Sequence, residues 1–265
     1  MPGRDLSLLI DAARKAGKIA AHYWDRSPRK WDKPGGHGPV TEADIEIDRM
    51  LRDTLTAARP DYGWLSEETE DGTTRLGRGS TFIVDPIDGT RSFIAGERNF
   101  AHSLAVAADG QVQAGVVFLP MLDRLYIAER GRGATLNGVP IAASTTATEA
   151  AATLLATRHA LDVAHWPGGV PPVRRSFRPS LAYRLALVAQ GRFDGMVGFH
   201  GCWEWDIAAG SLIASEAGAH VTDRDGAALR FNNREPLLPG IIVASEMLHS
   251  ALMARRGTQE GRARR

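Results

Sequence analysis

The sequence predicts a protein of mixed helices and strands, α+β in its first half and α/β in its second. Two segments with helical spacing of apolar residues come first, and strand-like runs separated by turn signals such as Asp109-Gly110 follow them. After a stretch of small residues at 144–152, short strands alternate with helices. We therefore expect an N-terminal half over 1–147, a C-terminal half over 148–256 and a disordered tail over 257–265.

Length, composition and charge limit the class of protein. A chain of 265 residues, 43% of them hydrophobic, is long enough to bury a large core. Its net charge of +1 gives no general attraction to nucleic acid or to a membrane surface. The single cysteine, Cys202, excludes an internal disulfide and fits a reducing compartment. Because charged residues are spread over the first twenty positions and no long apolar run follows, we expect a cytoplasmic protein with no nucleic-acid or membrane partner.

Two helices are predicted in the first sixty residues. Apolar residues recur near a 3.6-residue period over 4–24, and a second helix begins at Thr41 and runs to about Arg59. Thr41 and Asp44 have the spacing of a capping box, with Asp in place of the usual Glu or Gln. The segment 27–39 between the helices holds three prolines and three glycines, and we predict a loop there.

Alternation, turn residues and helix caps predict the later elements. Strands are expected at 81–84, 103–108, 112–119, 125–129, 153–157, 193–199, 220–222, 228–231 and 240–244. Helices are expected at 180–190, 207–217 and 246–255. The proline-rich segment 159–178 is predicted to be irregular after a short helix.

The stretch 82–93 carries the first chemical signal. An apolar run ends at Asp85, and Asp88 follows across a proline, a spacing that can turn both carboxylates toward one point. Gly89 and Thr90 would then present backbone N–H groups at a helix start, which suits an anion such as phosphate. Two carboxylates beside an anion site require cations between them. The stretch therefore predicts a metal-dependent phosphate site.

Each candidate residue also has a purely structural interpretation. Asp44 can be a helix-start acid, Asp206 a helix cap and Glu67-Glu68 a solvated charge run. The segment 85–89 can be a plain turn. The stretch 85–89 lacks the acid spacing of haloacid-dehalogenase-type phosphatases and the EF-hand pattern, and the sequence contains no Walker loop. Four histidines without metal-ligand spacing are interpreted as structural: His102, His159, His200 and His220.

Four short motifs together resemble those of the inositol monophosphatase family. In chain order they are Val40-Thr-Glu-Ala-Asp44, Glu67-Glu68, Asp85-Pro-Ile-Asp-Gly-Thr90 and Trp205-Asp-Ile-Ala-Ala-Gly210, and the resemblance spans about 6–253. It implies a layered αβαβα sandwich with the site between the two halves. It also implies Mg²⁺-dependent, lithium-sensitive hydrolysis of a phosphate monoester by a metal-activated water molecule.

The resemblance implies a metal-ligand set, carried over position by position. Glu67, Asp85 and the backbone carbonyl of Ile87 would bind one Mg²⁺ ion. Asp85, Asp88 and Asp206 would bind a second, so that Asp85 is shared. A third, weaker ion would lie near Glu67, held mostly through water. Hard oxygen ligands of this kind suit Mg²⁺.

The same resemblance implies the catalytic and phosphate-binding groups. Asp44 and Thr90 would orient the attacking water and take its proton, with Glu67 assisting beside the metal ions. Gly89 and Thr90 would hold the phosphate through backbone N–H groups. A homodimer is expected because many members of the family are dimers.

The sequence departs from the family pattern near the substrate. In the animal inositol monophosphatases an acid seven residues before the last metal-binding Asp contacts the inositol hydroxyls, whereas Phe199 stands there in this chain and no acid lies in 195–202. Discrimination for myo-inositol should therefore fall. Phe199, Trp203 and Trp205 could form an aromatic wall for a nucleobase or could be core residues.

Several substrates therefore stay open at this point. Ser180, Arg184 and Asp206 are expected to line the substrate pocket, and Arg184 could meet a second phosphate or be a solvated helix residue. The candidates are an inositol-1-monophosphate-type ester, a 3′(2′),5′-bisphosphate nucleotide such as 3′-phosphoadenosine 5′-phosphate, and histidinol phosphate. A regulator that binds metal and phosphate without turnover is the alternative of another class.

Overall fold

The computed structural model describes residues 2–33, 35 and 38–257. The helices are α1 (Pro2–Tyr23), α2 (Glu42–Ala58), α3 (Thr90–Ile94), α4 (Leu181–Ala189), α5 (Glu204–Glu216) and α6 (Glu246–Arg256). Short 3-10 turns lie at Thr73–Gly77, Pro120–Leu122, Glu149–Ala151, His159–Leu161 and Val163–His165. The predicted tail at 257–265 falls outside the described residues, except for Gly257, which ends α6.

The strands form two larger sheets and two small ones. They are β1 (Lys30–Asp32), β2 (Pro39–Thr41), β3 (Gly63–Ser66), β4 (Ser80–Asp88), β5 (Ala101–Ala108), β6 (Gln111–Leu119), β7 (Arg124–Glu129), β8 (Ala134–Leu136), β9 (Val139–Pro140), β10 (Thr153–Leu155), β11 (Arg174–Ser176), β12 (Gly195–Gly198), β13 (Cys202–Trp203), β14 (His220–Thr222), β15 (Leu237–Leu238) and β16 (Ile241–Ala244). The seven-stranded sheet has the order β3-β4-β5-β6-β7-β8-β9 and is antiparallel except for the parallel pair β3–β4. The five-stranded sheet has the order β11-β10-β12-β16-β14 and is mixed.

The helices and sheets stack in five layers. α1 and α2 pack against the seven-stranded sheet, and α4 and α5 pack against the same sheet as well as against strands of the five-stranded sheet. α6 packs against β16 in the five-stranded sheet. Three apolar clusters fill the spaces between these layers. The αβαβα sandwich implied by the sequence resemblance is therefore confirmed.

Helix α5 lies in the middle layer and is apolar on almost every side. A helix of this kind is stable only when neighbours cover all its faces. Small residues allow close contact, because a Cβ added to Gly115 of β6 would lie 3.0 Å from Ala209 O in α5. On another face, a Cβ at Gly210 would lie 2.7 Å from the Leu185 side chain of α4. This packing fixes the position of the first turn of α5, where Asp206 lies.

The capping box predicted at the start of α2 is present. The backbone N–H of Thr41 donates to Asp44 Oδ2 over 2.8 Å, and the Asp44 N–H donates to Thr41 Oγ1 over 3.4 Å. Most other predicted elements are present with small differences at their ends. The boundary predicted between the halves, at 144–152, contains one 3-10 turn and neither α-helix nor strand, and the division into halves remains a prediction.

Three predicted segments differ from the structure. The loop predicted at 27–39 contains β1 and the first residue of β2, the strand with which β1 pairs. The segment 159–178, predicted to be irregular after a short helix, contains β11, which extends the five-stranded sheet. The strand predicted at 228–231 is wrong. Asn232 and Asn233 directly follow this segment, and their backbone N–H groups donate hydrogen bonds to the buried carboxylate of Glu204. Asn232 has a φ of 62°. The Glu204 side chain thus fixes the residues that follow the segment, and the Phe231 N–H donates to the Gly110 carbonyl in a turn region and not in a strand ladder.

Among the described residues, no helix is both long enough and apolar enough to cross a bilayer.

The close contact between β6 and α5 gives a test of the fold. Gly115→Ala places a methyl group against backbone atoms of Ala209, at 3.0 and 3.1 Å, so the helix has to shift. We expect a loss of about 1–3 kcal/mol in the free energy of unfolding, measured by urea denaturation. Gly79→Ala is the control, because no described heavy atom lies within 4 Å of its added Cβ. Equal stability of the two variants would contradict this packing.

Candidate metal-dependent active site

An irregularity in β4 turns two carboxylates toward one place. Residues three apart on a regular strand point to opposite faces. However, Asp85 pairs with Ser103 while Asp88 pairs with Ala101, so three steps along β4 match two steps along β5. The extra residue makes a β-bulge, which re-aims a side chain. The Pro86 carbonyl within the bulge accepts a hydrogen bond from Nδ1 of the buried His102.

A third carboxylate joins them from the second half of the chain. One oxygen atom each of Asp85, Asp88 and Asp206 lies within 4.8 Å of the other two. Asp206 is placed by the first turn of α5, where its Oδ2 accepts the backbone N–H of Trp203 over 3.2 Å. Ser103 of β5 donates to the Trp205 carbonyl over 2.9 Å and so ties the start of α5 to the seven-stranded sheet.

The pKa values of the three carboxyl groups indicate that a cation would stabilise the cluster. Burial, followed by repulsion from neighbouring carboxylates, raises the pKa values of Asp85 and Asp206 well above their ordinary range. Burial also raises the pKa of Asp88 to about 6, although hydrogen bonds from Ser180 and Ala182 oppose the rise. Asp85 Oδ1 is buried and has no hydrogen-bond donor among the described residues. An unsatisfied oxygen among hard oxygen donors fits a cation such as Mg²⁺.

Asp88 is held from the second half of the chain. Its Oδ2 accepts hydrogen bonds from Ser180 Oγ and from the Ala182 N–H, both over 2.6 Å. Ser180 also caps α4, because its Oγ accepts the Tyr183 N–H over 3.0 Å. One serine therefore starts the helix and orients a carboxylate, which is a different task from the substrate contact expected from the sequence.

Glu67 lies beside the cluster and contacts a lysine. Its backbone N–H donates to Val84 O over 3.2 Å, which holds it next to the end of β4, and its charge raises the pKa of Asp85. Lys33 Nζ lies 2.7 Å from Glu67 Oε1 and 2.7 Å from Glu68 Oε1. Burial alone would lower the pKa of Lys33, but the two glutamates raise it overall. The sequence assigned Lys33 no role, because it lies in a loop far from the acids along the chain.

Asp44 and Thr90 lie together at the other side of the bulge. Thr90 Oγ1 is 3.4 Å from Asp44 Oδ1 and 3.1 Å from the Ile87 carbonyl. The second oxygen of Asp44 accepts hydrogen bonds from Thr41, so one carboxylate both caps α2 and faces Thr90. Complete burial raises the pKa of Asp44 to about 6.

Gly89 is required by the backbone. Its φ is +100°, a value that residues with a Cβ rarely adopt, and an added Cβ would lie 3.3 Å from Asn99 O. The turn places Thr90 at the first position of α3, a helix of only five residues. Gly89 and Thr90 thus directly follow Asp88 of the acidic cluster. The phosphate contact expected from their backbone N–H groups remains a prediction.

Arg184 is buried against the loop that precedes α4. Its guanidinium donates to the carbonyls of Arg178 and Pro179 and stacks over the Phe177 ring, with Cζ 4.5 Å from the ring centroid. It is therefore not a solvated helix residue. Its contact with a substrate phosphate remains a prediction.

A cavity of about 640 Å³ is lined by Glu67 and Glu68 and has aromatic walls. Trp203 and Trp205 line it with their rings stacked, at a centroid distance of 4.9 Å and an interplanar angle of 7°. Trp31 of β1 also lines it, and the sequence had not indicated this residue. Phe199 is instead a core residue, buried against Trp166.

Comparison with known proteins then identifies the family. The sequence profile of the inositol monophosphatase family matches residues 4–260. This chain belongs to the inositol monophosphatase family. It is 37% identical over 256 residues to an inositol-1-monophosphatase of Rhizobium meliloti (strain 1021), covering 90% of each chain. It is 33% identical over 266 residues to a histidinol-phosphatase of Chlorobaculum parvum, covering 97% of this chain and 98% of that one.

The solved structures agree with the family membership. The Thermotoga maritima IMPase superposes with a TM-score of 0.81 at 31% identity, covering 97% of both chains. The family resemblance read from the sequence is thus confirmed, and the chain is a phosphatase of this metal-dependent family.

The buried charges predict that the acidic cluster lowers stability when metal is removed. A carboxylate whose folded-state pKa lies above its unfolded-state value costs stability as pH rises through the interval between them. Asp85→Asn removes one such charge, so the variant should unfold at a higher temperature than the unchanged chain in EDTA at pH 7.5. We expect the free energy of unfolding to rise by about 1 kcal/mol or more. In thermal unfolding each kcal/mol corresponds to a rise of about 2–4 °C in Tm.

Two controls accompany this measurement. Asp53→Asn, at an exposed position of α2, should leave the metal-free unfolding temperature unchanged. Added Mg²⁺ should stabilise the unchanged chain by mass action and have little effect on Asp85→Asn. A metal-free Asp85→Asn chain less stable than the unchanged chain would contradict the assignment of repulsion to this cluster.

Proposed function

We propose that this chain is a Mg²⁺-dependent phosphatase that hydrolyses a small phosphate monoester of the inositol-1-monophosphate type. The observation that carries the proposal is the buried cluster of Asp85, Asp88 and Asp206, with its unsatisfied Asp85 oxygen, beside the Thr90–Asp44 pair. The name of the 37%-identical relative supports the substrate class. The homodimer expected from the resemblance remains a prediction.

Two sources together give the residues that would hold the metal. The acidic cluster contributes Asp85, Asp88 and Asp206. The resemblance to the family adds Glu67 and the Ile87 carbonyl. When bound, Mg²⁺ would supply positive charge for the attacking and leaving oxygens of the ester. Ser180 and the Ala182 N–H fix Asp88 through one oxygen and leave the other for the cluster.

The attacking water would lose its proton to the Thr90–Asp44 pair. Thr90 Oγ1 would take the proton while passing its own to Asp44 Oδ1, and Glu67 would help to orient the water. The Asp44 pKa of about 6 suits this task, because a base works best when its pKa lies near the operating pH. Gly89 and Thr90 would hold the phosphate through their backbone N–H groups.

A specific observation favours a second substrate, a 3′(2′),5′-bisphosphate nucleotide. The indole rings of Trp31, Trp203 and Trp205 line the cavity that Glu67 also lines. They offer flat surfaces on which a nucleobase could stack. Lys33 lines the same cavity, where its ammonium group contacts Glu67 and Glu68. Histidinol phosphate, named for the 33%-identical relative, also has an aromatic ring.

A substrate panel tests these proposals. Phosphate release would be measured with Mg²⁺ from myo-inositol 1-phosphate, 3′-phosphoadenosine 5′-phosphate and histidinol phosphate. The first proposal expects the highest kcat/KM on the inositol ester, and the second expects it on the nucleotide. Failure to hydrolyse any of them would favour the non-catalytic regulator. Asp85→Asn and Asp206→Asn should abolish turnover, because each removes a metal-binding charge.

Thr90→Ala tests the proton path. Loss of the hydroxyl should lower kcat by about 10²–10⁴-fold, because a positioned proton acceptor contributes that much. The Mg²⁺ concentration for half activation should change far less. Thr90→Ser keeps the hydroxyl and should retain most activity. An unchanged kcat in Thr90→Ala would remove Thr90 from the mechanism.

Trp31→Ala separates the two substrate classes. Its side chain is 47% exposed, so truncation should disturb the fold little. Base stacking is worth about 1–3 kcal/mol, so KM for the nucleotide should rise by about 5–150-fold while KM for the inositol ester changes little. Met247→Ala, an exposed residue of α6, is the control. A nucleotide KM equal to that of the control would exclude stacking on Trp31.

A further inference from the structure

Two neighbouring histidines and a third that is distant in sequence meet on the surface of the C-terminal part of the chain. His159 and His165 lie in two consecutive 3-10 turns, and His200 follows β12. The ring centroid of His159 lies 4.9 Å from that of His165 and 4.7 Å from that of His200. The sequence reading of His159 and His200 as scattered structural residues therefore missed a cluster, because the folding of the proline-rich segment brings them together.

The nitrogen atoms of two of these rings have the spacing of metal ligands. His159 Nε2 and His165 Nε2 are 3.3 Å apart, and the rings are nearly perpendicular at 86°. Zn–N bonds of about 2.0–2.1 Å in tetrahedral geometry hold two ligand nitrogens about 3.3–3.4 Å apart. An N–H···N hydrogen bond between the same atoms is the competing explanation, although 3.3 Å is long for one.

A carboxylate sets the tautomer of His159. Its Nδ1 contacts Asp162 Oδ2, and a carboxylate there accepts the Nδ1 proton. The Nε2 atom of neutral His159 is then left with a lone pair directed at His165. Metal-binding histidines commonly give their other N–H to a carboxylate in this way.

The surroundings of His165 favour its neutral form, in which a ring nitrogen can bind a metal ion. Burial, together with His159 and Arg256, lowers the pKa of His165, so it keeps its lone pair near neutral pH. Arg256 donates to the His165 carbonyl over 3.2 Å and lies over the Phe199 ring. Its charge is partly offset by Asp225, 3.4 Å away.

We propose that His159, His165 and His200 form a second metal site, for a borderline divalent ion such as Zn²⁺. Imidazole nitrogens suit zinc, nickel and copper, whereas the acidic cluster of the active site suits hard cations. His200 is exposed and its ring is stacked on His159 at 22°, so it must rotate to bring a nitrogen atom to the ion. The segment that follows His200 leads directly to Trp203, so a bound ion would restrain one wall of the substrate cavity.

Zinc titration of the full chain tests the site. Isothermal titration calorimetry with Zn²⁺ would be carried out in excess Mg²⁺, with the Asp85→Asn variant run in parallel to exclude binding at the acidic cluster. We expect one Zn²⁺ per chain in both proteins. Binding of Co²⁺ should give the intense visible absorption of a tetrahedral, nitrogen-bound ion.

Variants assign the ligands. His159→Gln and His165→Gln should each weaken Zn²⁺ binding by at least about a hundredfold, and Asp162→Asn by about 10–100-fold. His220→Gln is the control, because this exposed histidine lies next to His249 in a pair outside the cluster. Circular dichroism would check that each variant is folded.

Three results would overturn the proposal. The first is no Zn²⁺ binding in excess Mg²⁺, and the second is loss of binding in Asp85→Asn with retention in His159→Gln. The third is a His200→Gln chain that binds Zn²⁺ as tightly as the unchanged chain, which would exclude the three-histidine site. His200 is exposed, so this variant stays informative even if substitution of His165 prevents folding. The site is independent of phosphatase activity, so the substrate panel can fail without affecting it.

Discussion

Repulsion among the carboxylates of Asp85, Asp88 and Asp206 is the constraint on which the rest of the site depends. Unpaired and buried, these groups would separate or take up protons. The bulge in β4, the donors on α4 and the packing of α5 between the two sheets prevent the separation. The fold thus holds an arrangement that becomes favourable when a cation neutralises it. The repulsion lowers the stability of the metal-free chain, and the same arrangement holds the carboxylates in place for a cation.

Several side chains of the site have an architectural and a chemical task at once. Asp44 caps α2 with one oxygen and faces Thr90 with the other. Ser180 caps α4 and orients Asp88. Because the helix ends are themselves built from the polar groups of the site, a small shift of a helix would move a reacting group. The site therefore lies at helix ends packed around one strand end. Trp31 of β1 and Lys33, which follows that strand, line the cavity beside it.

The C-terminal half differs in character from the acidic site. Its histidine cluster presents nitrogen donors at the surface, where Asp162 directs the tautomer of His159. The acidic cluster presents buried oxygen donors. The two donor sets differ in hardness, so they favour different ions. They lie at opposite ends of the same short segment, which runs from His200 to the first turn of α5.

The sequence by itself predicted the family through four short motifs, and the layered fold and the acids of the candidate site followed from that resemblance. The spacing of Asp85 and Asp88 around a proline, the capping box at Thr41 and the glycine at 89 are all local signals. Only the tertiary structure decided which distant residues meet. Lys33 contacts Glu67, and Trp31 lines the same cavity as Trp203. Phe199 is buried in the core, and His159 lies against His165 and His200. Such contacts depend on how whole elements pack, and no spacing within a few residues records that packing.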